Sequence, residues 1–278
     1  VIDDIAIALT KDPLNETYIS VEGGVNYRAA NGKLTGKLNV YNTMWRDRTL
    51  ARAVTSGQGS SGDTDIIFLT GLDQNHKGVE LEGAFQPMDL FRIDFAASYG
   101  DWSFVDDTKG TYKDIVNQTS TEYEYSIKGL KVGDMPQTMV AIGPSFFPIE
   151  GLTVSGVINW YDRNYADWDP GGREIDDADG DGKISEDERA DADRAQSWEA
   201  PGYTKIDFHA YYNLPFDLNG ITFQLFAHVF NALDEVFIQD ALDNSRYNAW
   251  DKDHDADDAE VFFGLPRSFN VGVNVSLP

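Results

Sequence analysis

Across residues 268–277 apolar and polar side chains alternate without a break, Phe269, Val271, Val273, Val275 and Leu277 against Ser268, Asn270, Gly272, Asn274 and Ser276. A period of two puts the apolar set on one face of an extended strand. Residues 221–231 repeat the pattern with Ile221, Phe223, Leu225, Ala227 and Val229. Each run lasts about ten residues, longer than the usual strand of about 5–6 and close to the about 9–11 that a tilted strand needs to cross a bilayer.

The same alternation predicts seven earlier strands, at residues 18–27, 33–45, 78–86, 90–104, 137–147, 152–162 and 203–214. Their outward sets include Leu34, Leu38 and Val40, then Val79, Leu81 and Phe85, then Leu152, Val154, Ile158 and Trp160. The connections alternate in length: short at 28–32, 87–89, 148–151 and 215–220, long at 46–75, 105–136, 163–202 and 232–266. Residues 56–62, Ser-Gly-Gln-Gly-Ser-Ser-Gly, are too polar and glycine-rich to pack. Loops beyond about 12–15 residues are uncommon in compact domains, and four at one end fit a sandwich badly. Outer-membrane barrels have this asymmetry, with short periplasmic turns and long extracellular loops. Tyr18, Trp45, Trp102, Trp160 and Tyr203 stand towards strand ends, where a bilayer interface falls. The predicted fold is all-β, an antiparallel transmembrane β-barrel segment.

Composition leaves this reading intact. The 278 residues contain no cysteine, so there is no disulfide framework. Mean hydropathy is −0.40 and no apolar run approaches the roughly 18 residues of a membrane helix. A barrel looks just as polar, because only alternate residues meet lipid. The net charge of −25 argues against a nucleic-acid partner. The acidic excess gathers in residues 174–193 and 251–260, outside the predicted strands. Val1 follows no charged, apolar or cleavage-site segment, so the expectation is a leader already removed or a start lying further upstream.

Several stretches resemble TonB-dependent outer-membrane receptors of the Bacteroidetes type, in the C-terminal portion of their barrel. They are residues 18–28, His-Lys-Gly-Val-Glu-Leu-Glu-Gly-Ala-Phe at 76–85, Val-Gly-Asp-Met-Pro-Gln at 132–137, Phe-Ala-His-Val-Phe-Asn-Ala-Leu-Asp-Glu at 226–235, and Gly-Leu-Pro-Arg-Ser-Phe-Asn-Val-Gly at 264–272. The resemblance implies TonB-dependent active import of a scarce nutrient (siderophore, vitamin, glycan or peptide) across the bacterial outer membrane. It implies the TonB complex as partner through an N-terminal plug, together with outer-membrane lipid and a surface lipoprotein. A receptor barrel of this kind has about 22 strands around a plugged lumen. Nine strands over residues 1–278 therefore read as its last part, with the plug and earlier strands outside this sequence. Family chains usually finish on an aromatic residue, whereas Pro278 stands last here.

One chemical motif is sharp. Residues 177–188 match the twelve-residue EF-hand loop, with carboxylates at positions 1, 3, 5 and 12 from Asp177, Asp179, Asp181 and Glu188. Gly182 permits the turn that brings the Lys183 carbonyl inward, and Ser185 would contribute directly or through water. The expectation is a structural Ca2+ in an extracellular loop, weakly held at about 10⁻⁴–10⁻³ M. Residues 171–174 make a poor entering helix, whereas 185–194 can form an exiting one. The acidic run at 251–258 lacks the sixth-position glycine and reads as a solvated loop.

If the connection at 215–220 pairs its strands directly, Asp207 faces His228 and His209 lies two residues on along the same lumen-facing side. Such a pair could contact the plug, a substrate or a metal, or could be an interior hydrogen bond with no role in transport. There is no cysteine nucleophile, Gly-x-Ser-x-Gly elbow, His-Glu-x-x-His or phosphate loop, so the chain does not read as an enzyme. Three classes stay open: a nutrient transporter, a calcium-stabilised surface binding or adhesion protein, and a passive porin.

Overall fold

A computed structural model describes residues 15–55, 64–114, 119–245 and 252–278. Its strands are β1 (Thr17–Arg28), β2 (Leu34–Thr55), β3 (Thr64–Met88), β4 (Phe91–Phe104), β5 (Thr108–Asp114), β6 (Thr119–Tyr125), β7 (Thr138–Phe146) and β8 (Leu152–Asp162). There follow β9 (Asn164–Tyr165), β10 (Asp167–Trp168), β11 (Glu199–Ala200), β12 (Tyr203–Asn213), β13 (Thr222–Phe230), β14 (Ile238–Asp243), β15 (Glu260–Phe263) and β16 (Ser268–Ser276). The one α-helix among the described residues, α1, is Glu186–Asp191.

The main sheet runs β1-β2-β3-β4-β7-β8-β12-β13-β16, every neighbour antiparallel and next in order. These are the nine strands that alternation predicts. Their registers line the apolar positions into rows: Val25, Leu38, Leu81, Ala97, Val140 and Trp160 stand opposite one another across six strands. The neighbouring row, on the other face, is Asn26, Lys37, Glu82, Ala96, Ala141, Asn159 and Lys205. The apolar face has no protein layer over it: Val21 is 70% exposed and Val271 75%. An area of that extent is uncovered in a soluble protein only where something else covers it.

The predicted long loops are the main correction. Residues 46–55 and 64–75 continue the β2–β3 ladder instead of forming a loop, with irregular register between Trp45, Arg48 and Leu50. Those irregularities break the period of two, which is why alternation stops at Trp45 although the strand does not. The glycine-serine stretch at 56–62 lies outside the described residues. Residues 105–136 hold the β5–β6 hairpin, which pairs onto the β3 extension. Residues 163–202 and 232–266 contribute β9, β10, β11, β14 and β15, and β10 pairs parallel to β14 across the two segments.

The hydrophobic core lies at this end of the molecule. Leu69, Leu72, Phe104, Tyr125, Ile127, Leu130 and Trp168 form one buried cluster drawn from β3, β4, β6, β10 and the segment between β6 and β7. Burying a Leu, Ile or Phe side chain contributes about 1.5–3 kcal/mol, so the long connections form a packed cap over the strand ends. At the opposite end the connections stay short, and the β12–β13 hairpin closes on Leu218-Asn219-Gly220-Ile221. Asn219 (φ 55°) and Gly220 (φ 87°) supply the two positive φ angles of a type I′ turn there.

Candidate functional site

That turn decides the histidine register. The tight turn sits at the late end of the 214–221 connection, so Leu214 bonds to Phe223 and His209, not Asp207, stands opposite His228. The expected Asp207–His228 pair is therefore corrected. The two imidazoles meet Nδ1 to Nδ1 at 2.9 Å, one donating and the other accepting. Ser155 and Asn270 flank them on the neighbouring strands, and Tyr211, Phe226 and Phe230 pack their rings around them. Asp207 instead accepts the Asn231 N–H at 2.7 Å, where β13 ends. Asn231 (φ 48°) accepts from the Glu235 N–H and donates to the Glu235 and Leu265 carbonyls. It ties the start of one long connection to the end of the same one.

Further up the same face Gln137 is fully buried and acts as an extra strand for β4. Its Oε1 accepts from the Trp102 N–H and its Nε2 donates to the Trp102 and Val132 carbonyls. The Trp102 indole N–H reaches the Tyr41 hydroxyl at 2.9 Å, and the Tyr41 ring lies over Gly78, where any Cβ would sit 2.6 Å from that hydroxyl. Trp102 stacks on His76, whose Nε2–H donates to Gln74 Oε1 at 3.0 Å. Sequence reading singled out none of these as functional, because partners 35 and 61 residues apart leave no local signal.

In the cap, Arg173 and Asp243, each 1% exposed, meet at 3.2 Å. His254 lies 2.6 Å from Asp243 through Nδ1 and 2.6 Å from Asp193 through Nε2. These four groups join the 163–202 and 232–266 segments, and the Asp243 carboxylate also accepts the Trp198 N–H. Hydrogen bonding to Asp243, outweighing burial and aided by Asp193, holds the His254 imidazolium above its ordinary pKa. Burial would raise the Asp193 carboxyl, but the His254 hydrogen bond and the Ala195 N–H bring it below the usual range. The run at 251–258 is thus not simply solvated: His254 and Asp258 are buried, and Asp258 accepts the Asp253 N–H. Asp251 lies outside the described residues.

The 177–188 loop folds around its own carboxylates. Asp177 accepts from the N–H groups of Gly180, Asp181 and Gly182, and Asp181 from Lys183. Gly180 and Gly182 take positive φ, 73° and 80°. Glu188 reaches back to the N–H groups of Ala178 and Ser185, while Ser185 caps α1. Carboxylate oxygens of Asp177, Asp179 and Glu188 come within 4.8 Å of one another. The segment before the loop forms a 3-10 turn (Pro170–Gly172), and the exiting helix is α1. Arg189 on α1 grips Glu124 of β6 with two bonds of 2.9 and 3.0 Å, holding the Glu124 carboxyl below its ordinary pKa.

Comparison with protein families gives one match, the TonB dependent receptor-like, beta-barrel model, over residues 12–232. The chain belongs to this family. Curated protein sequences give no match. Among solved structures, the chain is similar to the siderophore receptor PiuA from Acinetobacter baumannii, at 14% identity and a TM-score of 0.54, covering 92% of this chain and 28% of that one. It is also similar to the copper transporter OprC, at 14% identity and a TM-score of 0.52, covering 93% of this chain and 31% of that one. At such identities the likeness is one of fold. This chain spans less than a third of the length of either.

Membership assigns the two faces and the two ends of the sheet. A TonB-dependent receptor barrel lies in the bacterial outer membrane, with its apolar face against lipid, short turns in the periplasm and long connections outside the cell. The row from Val25 to Trp160 is then lipid-facing, and Lys37, Glu82, His209 and His228 lie on the opposite, polar face of the sheet. The buried core and the Arg173–Asp243 pair belong to an extracellular cap.

Proposed function

We propose that this chain forms the C-terminal strands of a larger plugged barrel that imports a scarce nutrient through TonB. What supports the reading is the family match over residues 12–232, laid on nine sequential strands with short turns at one end and a packed cap at the other. The TonB contact belongs to the plug, so the energy-coupling partner acts through residues beyond these strands. The nutrient would descend the polar face, where His209 and His228 stand among Tyr211, Phe226 and Phe230 as contacts for plug or cargo. No step here calls for an enzyme. The test is uptake by cells carrying the intact protein, in the presence and absence of TonB. Uptake that needs both supports import, and uptake indifferent to TonB makes the protein a passive porin.

A second reading concerns the cap. We propose that residues 177–188 take up Ca2+, with Asp177, Asp179, Asp181, Ser185 and Glu188 as oxygen donors and the Lys183 carbonyl completing the set. The support is the twelve-residue spacing together with the convergence of the Asp177, Asp179 and Glu188 carboxylates. Calorimetric titration with Ca2+ and with Mg2+ tests it. A heat signal for Ca2+ that Glu188→Gln removes supports the site, and equal signals from both proteins defeat it.

A further inference from the structure

One cavity, of about 260 Å³, opens where the polar face passes beneath the cap, between β2, β3, β4, β10 and the stretch around Gly133 that joins β6 to β7. Leu50, Leu72, Phe104 and Trp168 give it apolar walls. Gly133 lets its two sides approach, since a Cβ there would lie 2.6 Å from the Asp167 backbone nitrogen.

One buried donor on its lining is left without an acceptor, and a cation stands beside it. Gln74 is 1% exposed; its Oε1 is taken by His76, and its Nε2 has no hydrogen-bond partner. A buried amide left so is destabilising, and a ligand oxygen would satisfy it. Arg48 lies beside it, its guanidinium 4.6 Å above the Trp45 ring. Among the described residues it forms no ion pair. The other charged groups on the lining, Asp134 and Asp167, already have partners, Asp167 with the Trp168 N–H among them. The pattern is therefore a cation and an unsatisfied primary amide on the lining of one small space with hydrocarbon around it.

We infer that this cavity binds a carboxylate-bearing end group, its oxygens on Gln74 Nε2 and Arg48 and its hydrocarbon against Leu72, Phe104 and Trp168. The inference deepens the import reading by giving the cargo a docking chemistry at the mouth of the lumen. The volume falls below the about 300–1,000 Å³ of a pocket for a drug-sized molecule. It suits a terminal group of a larger nutrient, or a molecule as small as benzoate. Arg48 supplies the charge complement and fits the planar carboxylate through two N–H groups. Gln74 is fixed in orientation by His76, so its donors are preset.

The probe is sodium benzoate, with benzamide as the uncharged analogue of the same shape, titrated into the full-length receptor purified in detergent and followed by ligand-observed NMR. Saturable benzoate binding, weakened about tenfold or more in Gln74→Leu and in Arg48→Gln, is expected, because each change deletes a charge-assisted hydrogen bond. Gln74→Glu keeps the side-chain volume and sets a carboxylate against the ligand, so it should abolish binding. Benzamide should bind more weakly than benzoate. Melting curves superimposable on the parent confirm that the variants are folded. Benzoate that does not saturate means that water alone fills the cavity, and benzoate that binds all variants equally sits elsewhere; either result overturns the assignment. Binding by the purified protein needs no TonB, so loss of the import reading in cells and loss of this site in detergent are separate outcomes.

Discussion

Arg173 and Asp243 lie 70 residues apart in sequence and 3.2 Å apart in space, with 1% of each side chain exposed. A buried pair of this kind costs about 3–5 kcal/mol when one partner is removed, because the other is left charged and unsolvated. Arg173→Ala should therefore loosen the cap. Limited proteolysis of intact cells should then cut between residues 163 and 266 much faster than in the parent, while the strands in the membrane stay protected. Equal cutting rates would show that the pair is not holding the cap.

The cap should also respond to pH through His254. Its folded pKa is raised above the ordinary 6.5, so its contribution is complete below that value and is lost as pH rises through the raised one. Asp193 is lowered, so its contribution is present above the ordinary carboxylate value and is lost as pH falls through the lowered one. Protection factors across 238–245 and 252–263, that is exchange corrected for its intrinsic base catalysis, should be highest between those limits and should fall on the alkaline side. His254→Gln should remove the alkaline loss of protection and shrink the acid one, because it also takes away the main partner that lowers Asp193.

Gln137 makes three hydrogen bonds that no other side chain can supply. Gln137→Leu keeps the volume and strands the Trp102 N–H and the Val132 C=O, while the Trp102 carbonyl still accepts from the Val132 N–H, at about 1–3 kcal/mol for a buried unsatisfied group. A lower melting temperature, with quicker exchange at Trp102 than at Phe95, is the expected result. Uniform exchange along β4 would count against the role given to the amide.

If residues 177–188 hold Ca2+, the ion binds only the folded cap and stabilises it by mass action. Its addition should raise the cap's melting temperature in the parent and leave Asp177→Asn unmoved. It should also tighten the Arg189–Glu124 grip, since α1 begins at the ligand Glu188's own turn. Double-mutant cycles on Arg189 and Glu124, run with and without Ca2+, measure that coupling.

How far the sequence could be read depended on the range of each interaction. Val271 and its neighbours announce β16 because burial against lipid imposes a period of two on consecutive residues. The β2 extension stayed hidden because register irregularities at Trp45–Leu50 reset that period. A turn centred in 215–220 puts Asp207 opposite His228, whereas Asn219-Gly220 places the turn late and brings His209 there instead. The carboxylate spacing at 177–188 was legible because those residues are neighbours in sequence. Gln74, Gln137, Arg173 and His254 were not, because each acquires its meaning from residues dozens of positions away.

The placement of the core has a calorimetric consequence. Leu69, Ile127, Leu130 and their neighbours are the apolar groups that pass from protein into water when the molecule comes apart, whereas Val25, Leu38 and Val140 sit in hydrocarbon before and after. Heat capacity rises with apolar surface newly exposed to water, at about 0.45 cal/K/mol per Å². Heating in detergent should therefore give two transitions of different character: an early one with a large heat-capacity step as the cap opens, and a later one, from the strands, with scarcely any.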